Sequence, residues 1–360
     1  MSSVDLGSQR TRLALAFSLI CVTTFAQGPQ IALQAGRISS GSVQPRTSSK
    51  STKPDVAIAG PTLGYLLDAS GSSLIPIRGV ASATSLGEPI TKPNGTGQIF
   101  LPPRQHYALA ELPGSGGLAV WHLARLHVVA ASDILDVISG FTGKPDLTAF
   151  SPTGRSAAIY SASEERIQVV VGLPGNPSVL AKIPQPSFGG PSRIFLSDDG
   201  HLILTTNTNG QVSLSVDGAP LHTLAWTYSP MTLSFVSNTH NLLVSDGRQK
   251  QLLLIQNVEA PNGPPVVLGS DIQPDHLAVC NDGATIAALD AKSQKLWVMD
   301  AKSLAVTNVP IAQQADEMVT LRDGHMLLLS ASPVFVMKLA DPVALALTTS
   351  TQPNAGLNVR

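Results

Sequence analysis

Three observations predict an all-β chain of repeated antiparallel units. A strand–turn–strand outline recurs, its copies are spaced in the forties, and its apolar runs lack helical periodicity. The outline is FLSDDGHLILTT at 195–206, and it returns as AFSPTGRSAAIYS (149–161), FVSNTHNLLVSDG (235–247), AVCNDGATIAALD (278–290) and TLRDGHMLLLSA (320–331). With the turn residue as a ruler, the copies fall at Gln105, Gly154, Gly200, His240, Gly283 and Gly324, at intervals of 49, 46, 40, 43 and 41 residues. A period in the forties with several short strands per unit is the mark of a β-propeller blade. Helical repeats of that length would place apolar residues three and four apart, and these segments do not.

Each unit divides into elements in the same order. Its first strand is almost continuously apolar (LTAF, RIFL, LSFV, HLAV, EMVT), as expected of an inner strand covered on both faces. The turn follows, as Thr153-Gly154, Asp199-Gly200, Asp282-Gly283 or Asp323-Gly324. Glycine there supplies the positive φ that tight hairpins require. A second apolar strand comes next (AAIY, LILTT, LLVS, TIAAL, MLLLS), then a polar loop and a more amphipathic third strand (RIQVVV, QVSLSV, QLLLIQ, KLWVMD, VFVMK, and LAVWHL at 118–123). A weaker fourth strand closes the blade. Six such units are complete. GYLLDASGSSLIPIRGV at 64–80 reads as a third and fourth strand joined at Ser70-Gly71. It is either a degenerate first blade, giving seven, or the end of the last blade, giving six. In either case the ring must close without an unpaired edge; the reading adopted is seven.

With the S-P-T-G, S-D-D-G and N-D-G turns at 151–154, 197–200 and 281–283 and the third-strand pattern, residues 97–348 resemble the WD40-like and YVTN-like β-propellers of bacterial exported proteins. The Trp-Asp dipeptide that ends WD40 third strands is absent; Val298-Met299-Asp300 comes nearest. The resemblance implies a generic propeller and permits a hydrolase of lactonase type, but no catalytic residue of that type can be matched to a position here.

The ends of the chain read differently. Arg10 and Arg12 precede an uncharged apolar run, Leu13 to Ala26, with small residues at Thr24 and Ala26 before Gln27. This is the pattern of a secretory signal peptide, residues 1–26. The run is short for a membrane span, which needs about 20 apolar residues. No span is expected in the mature chain. Residues 27–60 include RISSGSVQPRTSSKSTKPD (37–55), a Ser/Thr/Pro-rich, mildly basic linker with too little apolar surface to offset ordering. The propeller is expected over 61–350 and a short tail over 351–360. Export to the periplasm or exterior follows from the leader.

Removing residues 1–26 takes away Asp5, Arg10 and Arg12 and leaves 21 basic and 23 acidic side chains. A net charge near −2 offers no basic excess for phosphates, so nucleic acid is not an expected partner. Of the two cysteines, Cys21 lies in the leader, so Cys280 has no intrachain disulfide partner after processing. The core must then supply the stability, and the chain is long enough for one.

Propeller topology sorts the polar residues onto two faces. Turns between first and second strands share one face; loops entering the first strand, and those joining second to third, share the other. Eight residues before each ruler position stand Gly97, Asp146, Ser192, Thr232, Asp275 and Asp316. Three carboxylates would then ring one channel mouth, with Arg193, His276 and Glu317 beside them. Such a ring could hold Ca²⁺, which takes six to eight oxygen ligands. Equally, each Asp could cap its own turn, in which case no cofactor is expected. On the same face lie SASEER (161–166), TNTNG (206–210), SDGRQKQ (245–251) and DAKSQK (290–295), with mixed charge, and Trp226 and Tyr228 as candidate rim aromatics. The twin DAKS at 290–293 and 300–303 is hairpin chemistry. His106, His201 and His325 align just after the turn, on different blades and on the opposite face. No HExxH, CxxC pair, P-loop or GxSxG occurs, which removes the usual support for metalloprotease, zinc-ribbon, nucleotide-binding and α/β-hydrolase readings.

Three functions remain open at this point. The first is a non-enzymatic exported propeller that binds a protein, peptide or glycan through one face. The second is a lactonase-type propeller hydrolase with a metal or general base at the channel mouth. The third is a structural envelope component.

Overall fold

The structure, a computed structural model, describes residues 60–346 apart from 69, 81–82, 124–134, 186–189, 225, 281–282, 312–314, 322–323, 332–334 and 340–343. The leader, most of the linker and the tail read from the sequence lie outside the described residues.

Seven four-stranded antiparallel sheets form a ring, and each sheet comes from one contiguous segment of chain. Blade 1 holds β1 (Thr62–Leu67), β2 (Ser73–Val80), β3 (Ala83–Leu86) and β4 (Ile90–Thr91), the last two sharing one edge of β2. Blade 2 is β5 (Ile99–Phe100), β6 (Ala108–Leu112), β7 (Gly117–Trp121) and β8 (Leu135–Val137). Blade 3 runs β9 (Leu147–Phe150), β10 (Ala157–Ser161), β11 (Arg166–Val171), β12 (Ser178–Pro184). Blade 4 runs β13 (Arg193–Leu196), β14 (Leu202–Thr206), β15 (Val212–Val216), β16 (His222–Thr223). Blade 5 runs β17 (Pro230–Phe235), β18 (Leu242–Asp246), β19 (Gln251–Ile255), β20 (Val266–Ser270). Blade 6 runs β21 (His276–Cys280), β22 (Thr285–Asp290), β23 (Lys295–Asp300), β24 (Val306–Pro310). Blade 7 runs β25 (Ala315–Thr320), β26 (Met326–Ala331), β27 (Phe335–Lys338), β28 (Ala344–Ala346).

The blade count is therefore seven, but residues 64–80 are not a third and fourth strand. They are most of the first two strands of blade 1, joined by a turn that the Asp68 carboxylate caps by accepting the Ser72 and Ser73 N–H groups.

Seven hydrophobic clusters fill the seven spaces between neighbouring blades, and each draws its side chains from two of them. In β14, Leu202 and Leu204 face blade 5 while Ile203 faces blade 3. In β22, Ile286 and Ala288 face blade 5, and Ala287 and Leu289 face blade 7. This is why consecutive residues of the second strands are apolar, as in Leu202-Ile203-Leu204 and Ile286-Ala287-Ala288-Leu289: both sides of the sheet are interior. The seam between the last blade and the first is made the same way, with Leu66 and Ile77 packed on Leu321, Met326, Leu328 and Val336.

Hairpin turns follow one hydrogen-bond scheme. Gly154 N–H donates to Ser151 O, Gly200 to Ser197 O and Gly324 to Leu321 O. These glycines, with Gly283, have φ between 68° and 91°. In blade 5 the matching donor is Thr239, bonded to Val236 O, so the ruler residue there is Thr239 and not His240. The positive φ falls on Asn238 instead (56°).

Cys280 closes β21 in the space between blades 6 and 7, at 1% exposure, and burial pushes its thiol up to about 12. Reactivity needs the thiolate. Native protein treated with iodoacetamide at pH 8 is expected to stay unlabelled at Cys280, and to label fully in 6 M guanidinium; mass spectrometry of the peptide containing Cys280 reads both.

Candidate functional site

The first strands of blades 4 to 7 begin at one end of the ring, and their opening residues converge there. A cavity of about 360 Å³ lies between the inner strands, with Arg193, Thr232, Asp275 and His276 toward this end and Phe150 and Phe195 among its apolar walls. Arg193 opens β13, and its Nη1 donates to Met231 O in blade 5 at 2.8 Å. His276 opens β21, with Nε2 3.9 Å from Asp275 Oδ1. It also hydrogen-bonds to the backbone of Asp316 in blade 7. Partial burial lowers the His276 pKa, assisted by the Arg193 charge and opposed by Asp275 and Asp316. The imidazole is thus neutral at physiological pH, beside one guanidinium and two carboxylates.

Sequence equivalence did not become geometric equivalence for the three aspartates. Asp146 and Asp275 occupy the same local trap. The N–H of each donates across the sheet, to Tyr160 O and Leu289 O, and the carboxylate of each accepts the N–H that follows its second strand, from Ala162 and Ala291 at 2.7 and 3.0 Å. Asp316 differs because the register slips between Ala315 and Glu317, which makes it the extra residue of a β-bulge and leaves it exposed. Bulges re-aim side chains in this way. Blade 5 has the same slip between Pro230 and Thr232 and turns Met231 out to 41% exposure. The structure therefore brings together Arg193, Asp275, His276 and Asp316, while Asp146 is committed to its own loop in blade 3. Glu317 lies in β25; its side chain is outside the described residues. Among the described residues, no group of three His, Cys, Asp or Glu side chains is placed to hold a metal ion.

Trp226 and Tyr228 stack edge to face, with centroids 6.0 Å apart at 73°. Both are half-buried against the cluster between blades 4 and 5. They are packing residues first.

The opposite face carries a polar hub that the ruler alone did not reveal. Asp198 Oδ1 accepts the Thr153 N–H at 2.8 Å and the Thr153 hydroxyl at 2.5 Å, and Oδ2 accepts the Asn238 N–H at 2.7 Å. One carboxylate thus ties the turns of blades 3, 4 and 5. Beside it, Asp199 bonds His240 Nε2 at 2.9 Å, and the other His240 nitrogen lies 3.3 Å from Glu259. His201 pairs with Asp217 within blade 4. Of the three aligned histidines, His201 thus takes a partner in its own blade, and His106 and His325 stand on blades 2 and 7.

Burial alone would raise the Asp199 carboxyl, but the Ser197 hydroxyl, His240 and the His201 N–H outweigh it and hold it at about 2, against an ordinary 3.8. A depressed carboxyl adds stability that is fully present above about pH 4 and is lost as pH falls toward 2. Chemical unfolding measured between those pH values should therefore show a shallower pH slope for Asp199→Asn than for the parent.

No protein-family model matches the chain, and no curated protein matches it. Among solved structures, the chain is similar to a functionally unknown protein from Desulfotomaculum acetoxidans DSM 771, with 14% identity and TM-score 0.52, covering 83% of this chain and 98% of that one. It is also similar to Kuenenia stuttgartiensis hydrazine synthase, with 12% identity and TM-score 0.48, covering 82% of this chain and 99% of that one. At such identities the likeness is one of fold alone.

Proposed function

We propose that this seven-bladed propeller is an exported, non-enzymatic binding protein that engages a protein, peptide or glycan partner through the channel-mouth face. The observation that carries the reading is the convergence of Arg193, Asp275 and His276 from two blades on one cavity, with Asp316 of a third blade beside His276. A concave pocket that joins apolar walls to a few convergent polar groups, one of them a histidine of altered pKa, is a usual form of binding site. A rigid ring also suits recognition by its loops. The leader-like Arg10, Arg12 and Leu13 to Ala26, and the WD40-like and YVTN-like turns, support export.

Capture from envelope extract on immobilised protein tests this. A partner retained by the parent and by His201→Ala, on the far face, but lost by His276→Ala supports the reading. Equal capture by all three defeats it. Metal analysis of the parent and of Asp146→Ala and Asp275→Ala addresses the enzymatic alternative: a stoichiometric ion lost in both variants would favour it. Fractionation addresses a structural envelope role, which recovery wholly in the soluble periplasm or medium would exclude.

A further inference from the structure

We infer that the channel mouth takes a cationic side chain, a lysine or arginine on an extended peptide with apolar flanks, and that it releases this group in acid. The inference rests on the binding reading above and gives the occupant its chemistry.

Charge comes first. The arc carries Asp275 and Asp316 against Arg193, and His276 adds nothing while neutral, so its charge is −1. Shape comes second. Below the arc the walls are Leu101, Phe150, Phe195, Val279 and Met318, a surface for the methylene stem of a long basic side chain whose head stays at the polar rim. Length comes third. A second cavity of about 260 Å³ runs outward between β13 and β17, and it shares Arg193, Phe195, Thr232 and Leu233 with the first. The loop around Asn207 and Gly210 borders it on one side and the exposed Met231 on the other. A continuous track from the channel to the rim fits an extended chain with an apolar neighbour over Met231, and a compact ion would leave most of it empty.

The acid response follows from the groups that face His276. These are Asp275 preceding it, Arg193 from β13 and Asp316 from β25. Protonation adds one positive charge and takes the arc from −1 to neutral. The pull on a cation therefore weakens as pH falls below the ordinary histidine range, because the His276 pKa is lowered by burial.

The test uses the full chain and fluorescein-labelled peptides Gly-Phe-Lys-Phe-Gly and Gly-Phe-Glu-Phe-Gly, followed by fluorescence polarisation at pH 7.5 and pH 5. The lysine peptide is expected to bind at least about tenfold more tightly at pH 7.5, since one like-charge contact costs that much. Asp316→Asn, on an exposed bulge, should weaken it about fivefold while circular dichroism stays unchanged. His276→Gln should remove the difference between the two pH values. Equal or tighter binding of the glutamate peptide, no binding of either, or indifference to Asp316→Asn overturns the inference. So does displacement of the lysine peptide by CaCl₂ alone, which would make the arc a metal site. Failure here is distinct from failure of the binding reading. An extract partner lost with His276→Ala but retained by Asp316→Asn removes only the cationic occupant.

Discussion

Asp198→Ala should lower the unfolding free energy by about 2–4 kcal/mol, the largest loss expected from any single polar side chain on the turn face. The carboxylate accepts two backbone N–H groups and one hydroxyl, from blades 3 and 5. Hydrogen bonds to a charged acceptor contribute about 1.5–3 kcal/mol each, and donors left unmatched keep their desolvation cost. Both backbone donors sit in turns, where no strand partner can replace the lost oxygen. Urea unfolding should show a lower midpoint at an unchanged slope, since the surface exposed on unfolding is the same. Asp198→Asn retains one acceptor oxygen and should recover part of the loss. A midpoint unmoved by Asp198→Ala would mean that solvent satisfies these donors as well as the carboxylate does.

Gly64→Val should cost at least as much, for a steric reason. Gly64 is buried in β1, and a Cβ there would lie 2.6 Å from Gln105 Oε1 and 2.7 Å from Leu321 Cδ2. Neither neighbour is free to withdraw. Gln105 Oε1 accepts the Tyr65 N–H at 2.6 Å, and Leu321 is fully buried in the seam between blades 7 and 1. Overpacking of this kind costs about 1–3 kcal/mol and sometimes more, and here it also threatens the Tyr65 bond. Gly64→Ala should be milder. A double-mutant cycle with Leu321→Ala identifies the cause: if the clash at the seam dominates, the pair loses less than the sum of the single changes. Additive losses would place the strain at Gln105.

The parts of this fold that the sequence made legible are those that repeat. Runs of consecutive apolar residues in β14, β18 and β22 mark sheets covered on both sides, and the Gly154, Gly200, Gly283 and Gly324 turns mark their hairpins. Blade 1 was harder to read, because its turn is an aspartate-capped Asp68-to-Ser73 loop and its outer edge is split between two short strands. At the site, spacing found Asp146, Asp275 and Asp316 but could not tell them apart. A bulge inserts one residue without altering the apolar pattern on either side, so nothing in the string separates the exposed Asp316 from the capped Asp275. The Asp198 hub was missed for another reason. Its partners are 45 and 40 residues away in neighbouring turns, and each is a common turn residue in its own blade.

The apolar seam between the last blade and the first has a consequence for biosynthesis. Leu66 and Ile77 leave the ribosome early, whereas Leu321, Met326 and Leu328 come near the end. At about 5–20 residues per second, the flank of the firstborn blade stays bare for some tens of seconds. No strand borrowed from the far terminus can protect it meanwhile, since blade 1 already has its full complement. Nascent chains stalled before residue 315 would thus present a greasy, half-built crescent to chaperones and proteases.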